Sequence, residues 1–126
     1  MSFEIINPES LGRPSGWNHG MLGPASGRVL FVAGQTAPEV AGFVAQWDRA
    51  LDRVLAVLRA AGGSAEQIGR MTVYVTDRRA YLASLKPLGD VHRRHMGKHF
   101  PAMSLVEVKG LVDPRALVEI EATAVL

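Results

Sequence analysis

Hydrophobic residues recur at helical spacing in the stretch that follows Gly42. They fall at offsets 0, 3, 7, 10, 11 and 14, and they are Val44, Trp47, Leu51, Val54, Leu55 and Leu58. Most charged residues of the stretch lie away from this stripe, as a helix with one buried face requires. Glycine accepts the left-handed geometry of a helix C-terminus. The pattern therefore predicts a half-buried helix that begins after Gly42 and ends at Gly62 and Gly63.

Other stretches have strand character, with compact or alternating runs of β-branched and apolar residues bounded by turn residues. They predict strands at residues 3–7, 28–33, 70–76, 103–109 and 117–125. A second helical region covers residues 80–98, and we expect it to break or restart near Pro87, which has no backbone donor. Shorter signals are a capping box at Ser64 and Gln67 and a turn at residues 113–115.

The order of these elements predicts an α+β fold and not a doubly wound sheet. Right-handed crossovers would place both helices on the same face of a mixed sheet. Both faces of the strands carry apolar or small residues, among them Val29, Phe31, Met71, Val73, Leu105, Leu117 and Val125. Since helices cover only one face, we expect the bare face to be buried against another subunit.

Composition narrows the class of protein. The 126 residues suit a single domain, 1–126, and the 48% apolar and 21% charged content is that of a globular protein. A net charge of +2 is too small to indicate nucleic acid binding by itself. The chain has no cysteine, no signal-peptide pattern and no apolar run near the roughly 20 residues that span a bilayer. We therefore expect a cytoplasmic protein without a membrane partner.

Five short motifs run in order along the chain. They are INP at residues 6–8, VAGQ at 32–35, TVYVTD at 72–77, FPAMSLVEV at 100–108 and VEIEATA at 118–124. Together they resemble the RidA (YjgF) family of reactive imine and enamine deaminases, and the resemblance runs essentially end to end. It implies a chorismate-mutase-like fold and a homotrimer with clefts between neighbouring subunits. It also implies a cofactor-free reaction in which water releases ammonia from an imine or enamine.

The resemblance also assigns site positions. In active members the residue after Pro-Ala is an arginine that grips the substrate carboxylate, and here it is Met103. The small polar or sulfur residue two positions later is Leu105, and the asparagine of the second helix falls on Gly89. The second glutamate of the last strand is retained as Glu121, and the loop aromatic of one branch is Trp17. The candidate site residues are therefore Glu121 for catalysis and Trp17, His19, Gly34, Met103 and Leu105 for substrate binding.

Glu121 is the strongest candidate for chemistry. Alternation puts it on the strand face opposite the helix-covered one, and we expect Met103, Leu105 and Glu107 to share its side. A carboxylate in an apolar, partly dry cleft could orient or protonate a water molecule. The structural alternative is a solvated glutamate or one in an inter-subunit salt bridge.

Met103 in place of arginine removes a permanently charged, bidentate clamp for a carboxylate. Such a contact contributes on the order of 2–3 kcal/mol, or roughly two powers of ten in binding. Standard 2-iminobutanoate deamination is therefore expected to be weak or absent, and an apolar or differently charged ligand would suit the pocket better. His19, in a glycine-rich loop beside Trp17, could donate to a ligand oxygen or simply be solvated.

Two further clusters have a functional and a structural interpretation. His92, His95 and His99 are spaced as metal ligands on one helix face could be, but two of them occupy positions that the family fills with aromatics. Packing is favoured there, and we expect no metal and no other cofactor. The basic residues of the second helical region lack the interleaved aromatics of single-strand binders, so we do not expect nucleic acid as a partner.

The sequence thus predicts a homotrimer that binds a small metabolite between subunits and hydrolyses an imine, an enamine or a related electrophile. Three alternatives stay open. They are an ordinary family deaminase in which His19 or a basic rim residue replaces the arginine, a non-catalytic ligand-binding or regulatory trimer, and an endoribonuclease or translation inhibitor as described for some relatives.

Overall fold

The computed structural model describes residues 3–126. Its elements in chain order are strand β1 (Glu4–Ile6), β2 (Gly20–Leu22), β3 (Val29–Gln35), helix α1 (Phe43–Ala60), β4 (Ile68–Val75), α2 (Arg78–Leu82), α3 (Leu85–Met96), β5 (Ala102–Glu107) and β6 (Val118–Val125). Single 3-10 turns lie at Glu9–Leu11 and Ala65–Gln67. Within residues 3–126, none of the helices has the length and hydropathy that a bilayer crossing demands.

The main sheet has four strands in the order β3-β6-β4-β5. Strands β4 and β5 are parallel, and the other two pairings are antiparallel. The connection from β3 to β4 contains α1, and the connection from β4 to β5 contains α2 and α3. Helix α1 contacts β3, β6 and α3, so the long helices share one face of the sheet. The predicted α+β architecture is confirmed, while the small antiparallel pair of β1 with β2 was not foreseen.

The core lies between this helical layer and the sheet. Strand β6 alternates strictly, with every second side chain buried from Val118 to Ala124 and the residues between them only half-buried. Helix α1 contributes the predicted stripe, including the fully buried Leu51, Val54 and Leu58. The buried amide of Gln46 joins this layer to two loops, because it donates to the carbonyls of Val40 and Arg115.

The C-terminus of α1 follows the sequence prediction. Gly62 has φ of +83°, the left-handed region that favours glycine. The amide of Gly63 donates to Leu58 at 2.8 Å, and the amide of Gly62 donates to Arg59 at 3.0 Å. These two bonds form a Schellman motif, which satisfies carbonyls that the end of the helix would leave without partners.

The break in the second helical region lies earlier than Pro87. Helix α2 ends at Leu82 and α3 begins at Leu85, so the proline falls in the first turn of α3. A proline is tolerated there because the first amides of a helix have no partner within the helix. Asp77 caps α2 by accepting from the amide of Arg79 at 2.9 Å.

The face of the sheet without helices, which we call the open face, is less apolar than the sequence suggested. Met71, Val73 and Leu105 belong to the helix side, where Met71 and Val73 are buried and Leu105 packs against the core. The centre of the open face carries polar side chains, including Thr72, Tyr74, Glu119, Glu121 and Thr123. Exposed apolar residues remain toward its edges, namely Val29, Phe31 and Val106. The expectation of apolar or small residues on both faces was therefore wrong for the centre of the open face, because β4 and β5 direct Met71, Val73 and Leu105 toward the helices and β4 directs Thr72 and Tyr74 away from them.

Candidate functional site

A cavity of about 650 Å³ lies on the helix side of the sheet, beside α3 and the start of β5. Its lining is mostly aromatic and aliphatic. The residues are Ser15, Gly16, Trp17, Trp47, Tyr81, Leu85, Leu88, Gly89, His92, Arg93, Phe100, Met103 and Leu105. We call this space the aromatic cavity. Its volume and its apolar walls with few polar groups are typical of small-molecule sites.

Two stacked ring pairs form part of its wall. Trp47 of α1 stacks on Tyr81 of α2, with ring centroids 5.8 Å apart and planes 18° from parallel. His92 of α3 stacks on Phe100, with centroids 4.9 Å apart and planes 1° from parallel. Because each ring is held by a neighbour, the wall offers a flat molecule preformed aromatic surfaces.

Trp17 reaches the cavity because its loop is held against the start of β5. The side chain of Asn18 donates to the carbonyl of Phe100 at 2.6 Å, and its backbone amide donates to Pro101 at 3.2 Å. Asn7 in turn donates to the Asn18 side-chain oxygen at 2.7 Å. Sequence reasoning missed this asparagine clamp, and the only signal for it was a pair of asparagines in turn-rich segments.

The three histidines His92, His95 and His99 do not converge on one point. His92 Nε2 donates to the carbonyl of His99 at 2.8 Å, and His99 Nε2 donates to the carbonyl of Ile68 at 2.7 Å. His95 Nε2 lies 2.6 Å from the carboxylate of Asp48 on α1. Burial lowers the pKa of His92, so its ring is neutral at physiological pH. Over residues 3–126, no three His, Asp or Glu side chains come together as metal ligands would.

Met103 and Leu105 lie in the wall of the aromatic cavity, as two of the predicted ligand-binding residues. Met103 pairs with Met71 and Leu105 with Val73 along the parallel β4–β5 ladder. Because paired residues share a face, both side chains are directed to the helix side. Gly89, the third position carried over from the family, lines the same cavity.

Glu121 lies on the other face of the sheet. It pairs with Thr72, the neighbour of Met71 along β4, so its side chain belongs to the open face. The expectation that Met103, Leu105 and Glu107 share the side of Glu121 is therefore wrong within one protomer. The reason is the register of β5, which places these three residues opposite Met71, Val73 and Val75.

Glu121 has a polar partner on the neighbouring strand β4. The hydroxyl of Tyr74 donates to Oε2 of Glu121 at 2.8 Å. This hydrogen bond, together with desolvation and the glutamate charge, raises the pKa of Tyr74 above its usual value. A second, smaller hollow of about 400 Å³ brings Glu121 together with Arg70, Thr72, Thr123 and Phe31.

Gly34 lies beside Glu119 on the open face. A Cβ atom at this position would collide with the carboxylate of Glu119, two residues before Glu121 on β6. Only glycine therefore lets Glu119 lie against β3 at this point. Gly34 contributes space and backbone here, and it does not line the aromatic cavity.

His19 lies close to the aromatic cavity but does not line it. Its ring meets the edge of Trp17 with centroids 4.6 Å apart, and its Nε2 lies 3.3 Å from the carbonyl of Gly12. Its backbone amide donates to Asn7 at 2.7 Å. In this arrangement His19 supports the loop that carries Trp17.

The candidate residues thus form two sets on opposite faces of the sheet. One set, with Trp17, Met103 and Leu105, lines the aromatic cavity, and the other, with Gly34 and Glu121, lies on the open face. A carboxylate on one face cannot act on a molecule bound on the other face of the same sheet. The two sets can serve one reaction only if they come from different protomers.

Comparisons with a family model, with known sequences and with solved structures all match proteins of one family. The family model described as Endoribonuclease L-PSP matches residues 11–126. A RutC family protein from Pyrococcus abyssi is 31% identical over 136 aligned positions, which cover 98% of each chain. The crystal structure of YyfB from Yersinia pestis, a Rid family protein of unknown function, is 34% identical with a TM-score of 0.85 and 100% coverage of both chains. RidA from an Antarctic Psychrobacter is 25% identical with a TM-score of 0.67, covering 91% of this chain and 92% of that one.

Proposed function

Since the chain belongs to the endoribonuclease L-PSP family, with RutC, Rid and RidA proteins among its relatives, we propose that it is a homotrimer that binds a small metabolite between its subunits. Each chain forms one domain, residues 1–126. Each site combines the aromatic cavity of one protomer with the open face of the next. In this arrangement the neighbour's open face closes the cavity and brings Glu121 to the bound molecule.

The proposed reaction is hydrolysis of a C=N bond without a cofactor. Water adds to the carbon of an imine, the carbinolamine then collapses, and the products are a carbonyl compound and ammonia. Glu121 orients the water molecule, accepts one of its protons as the oxygen attacks and passes that proton to the nitrogen. The hydroxyl proton of the carbinolamine then follows to the nitrogen as the C–N bond breaks and the C=O bond forms, so ammonia leaves and the carboxylate is regenerated. The hydroxyl of Tyr74 holds the carboxylate in position through its 2.8 Å hydrogen bond.

The observation that carries this proposal is the division of the candidate residues between the two faces. The aromatic cavity, on the helix side of the sheet, supplies shape and apolar contact. The carboxylate of Glu121 and its partner Tyr74 lie on the opposite, open face. Exposed Phe31 and Val29 at the edge of the open face support contact with another subunit, since exposed large apolar residues favour association.

Met103 shapes the substrate preference. No arginine stands at this position to hold the carboxylate of a short imino acid. We therefore expect 2-iminobutanoate, generated in place by an amino-acid oxidase, to be hydrolysed weakly or not at all. The measurement is ammonia or keto-acid release above the uncatalysed rate. Robust release from 2-iminobutanoate by the wild-type protein would contradict this part of the proposal.

Glu121→Gln tests the catalytic role on whichever imine the protein hydrolyses. The variant keeps size and hydrogen bonding but cannot accept a proton, so kcat should fall by about 10²-fold or more. Glu66→Gln is the matched control, because Glu66 lies in the 3-10 turn Ala65–Gln67, outside both hollows. Equal activity of Glu121→Gln and wild type would exclude Glu121 as the base.

A non-catalytic ligand-binding trimer is the second candidate function. Met103 and Leu105 favour it, because they leave the cavity apolar where active relatives carry a charged clamp. Tight metabolite binding to the wild-type trimer without ammonia release from any imine tested would identify this function.

A further inference from the structure

Arg93 is the one permanently charged side chain among the described residues that line the aromatic cavity. It lies in the last turn of α3, one helical turn after Gly89. The rest of the lining is aromatic, aliphatic or small, apart from Ser15 and the hydrogen-bonded His92. A single cation at the rim of an apolar space gives a bound molecule one preferred orientation.

Gly89 leaves room for that cation to act. Side chains on a helix lean toward its N-terminus, so the side chain of Arg93 lies over the turn that contains Gly89. A Cβ atom built at Gly89 would meet nothing within 4 Å. The path between the guanidinium of Arg93 and the interior of the cavity is therefore not blocked by a side chain at this position.

A carboxylate ligand could replace Asp90 as the partner of Arg93. Arg93 pairs with Asp90 on the same helix, and the side chains are 68% and 61% exposed. Exposed ion pairs three residues apart contribute little to stability. A ligand whose apolar part fills the cavity can place its carboxylate against the guanidinium of Arg93 as a bidentate pair. Such a pair is stronger there than at the exposed surface, because less water surrounds it.

We infer that the aromatic cavity is specific for aromatic carboxylates, with the ring held among Trp17, Tyr81 and Phe100 and the carboxylate held by Arg93. This inference rests on the proposed function and specifies its substrate class. If the protein hydrolyses imines, its substrates are 2-imino acids with an aromatic side chain. A short aliphatic imino acid cannot both fill the aromatic space and reach the guanidinium at the rim.

The test is calorimetric titration of the purified full-length protein with 3-phenylpropionate and with the neutral 3-phenylpropionamide. The acid should bind about tenfold to a hundredfold more tightly than the amide, since charge-assisted hydrogen bonds are the stronger class. Arg93→Gln should remove that preference, and Arg93→Lys should retain part of it. Arg59→Gln, which removes an exposed arginine of α1 outside the cavity, should bind as wild type does.

Gly89→Leu gives an independent check that does not depend on charge. Leucine is a much better helix former than glycine, so the variant should stay folded. It should weaken binding of both the acid and the amide about tenfold or more, because its side chain fills the space beside Arg93. Unchanged affinity in Gly89→Leu would overturn the placement of the ligand.

The outcomes separate this inference from the proposed function. Equal affinity for acid and amide, or an unchanged acid preference in Arg93→Gln, would overturn the role of Arg93 while leaving the cavity as a ligand site. Failure of both probes to bind the assembled wild-type protein would overturn the aromatic ligand class. The assembly itself and the Glu121→Gln kinetics test the proposed function separately.

Discussion

Tyr74 and Glu121 are joined across neighbouring strands of the open face by a 2.8 Å hydrogen bond from the tyrosine hydroxyl to Oε2 of the carboxylate. Tyr74 lies on β4 and Glu121 on β6, two register positions apart in the antiparallel ladder and therefore on the same face. The bond fixes the direction of the carboxylate on a face that also carries Thr72, Glu119 and Thr123. In our account it prepares Glu121 for a molecule presented by the neighbouring protomer.

This bond has a spectroscopic signature. The hydrogen bond to Glu121 raises the pKa of Tyr74, and the chain contains only two tyrosines, Tyr74 and Tyr81. Absorbance titration of tyrosinate formation should therefore show one group that ionises above the usual value of about 10. In Glu121→Gln that group should ionise at lower pH, because the negative charge that opposes ionisation is gone.

Tyr74→Phe is the control for this titration. It should remove the high-pH ionisation and leave the signal of Tyr81 in place. An identical titration curve for wild type and Glu121→Gln would contradict the proposed coupling of Tyr74 with Glu121.

A second prediction concerns the contact between α1 and α3. Hydrogen bonds from Arg94 and His95 to Asp48 lower the pKa of that carboxyl to about 2, from a usual value of 3.8. Because the folded pKa lies below the unfolded one, the contribution to stability is complete above pH 4. It is lost as the pH falls toward 2.

Asp48→Asn should therefore lower the free energy of unfolding by about 1 kcal/mol at pH 7, a value that allows for the partial exposure of the pair. The loss should shrink below pH 4. Urea denaturation at constant protein concentration measures both values. Asp52→Asn, whose contact with Arg59 is long at 3.6 Å, should change little. An Asp48→Asn effect as large at pH 2 as at pH 7 would contradict the assignment.

A third prediction concerns the asparagine clamp that positions Trp17. Asn18→Ala removes the bond to the carbonyl of Phe100, so the loop should move away from β5 and expose the indole. In a Trp47→Phe background, where Trp17 is the only tryptophan, its emission should shift to the red and acrylamide should quench it more strongly. Ser10→Ala, in the 3-10 turn Glu9–Leu11, should leave both properties unchanged. Identical quenching of Asn18→Ala and its parent would exclude the clamp.

Much of the fold follows from local sequence pattern. The stripe of α1 and its glycine ending, and the alternation of β6, are periodicities that a single chain segment displays by itself. Strand β2, Gly20–Leu22, was not predicted because it is short and contains no β-branched residue, whereas the equally short β1 contains Ile5 and Ile6. The helix break near Pro87 was expected, but its position depends on Asp77 and on the tolerance of a first helical turn for proline.

The site was less accessible to such reasoning because it depends on register and on distant contacts. Alternation shows that Met103 and Leu105 share a side, but both sides of β5 carry apolar or small residues. Only pairing with Met71 and Val73 decides which side faces the helices. Likewise, nothing in the sequence around Asn18 indicates Phe100, 82 positions away, as its partner. The family resemblance indicated which residues to consider as site residues. The structure shows that they lie on two opposite faces of the sheet.

The central claim is that Glu121 of one protomer meets the aromatic cavity of another, and cross-linking tests it most directly. The chain contains no cysteine, so Met103→Cys and Glu121→Cys can be combined in one protein without competing thiols. Treatment with a short bismaleimide at micromolar protein concentration should give covalent multimers up to a trimer on a denaturing gel, while each single variant should stay largely monomeric. A double variant that runs only as a monomer after complete thiol modification would contradict the account.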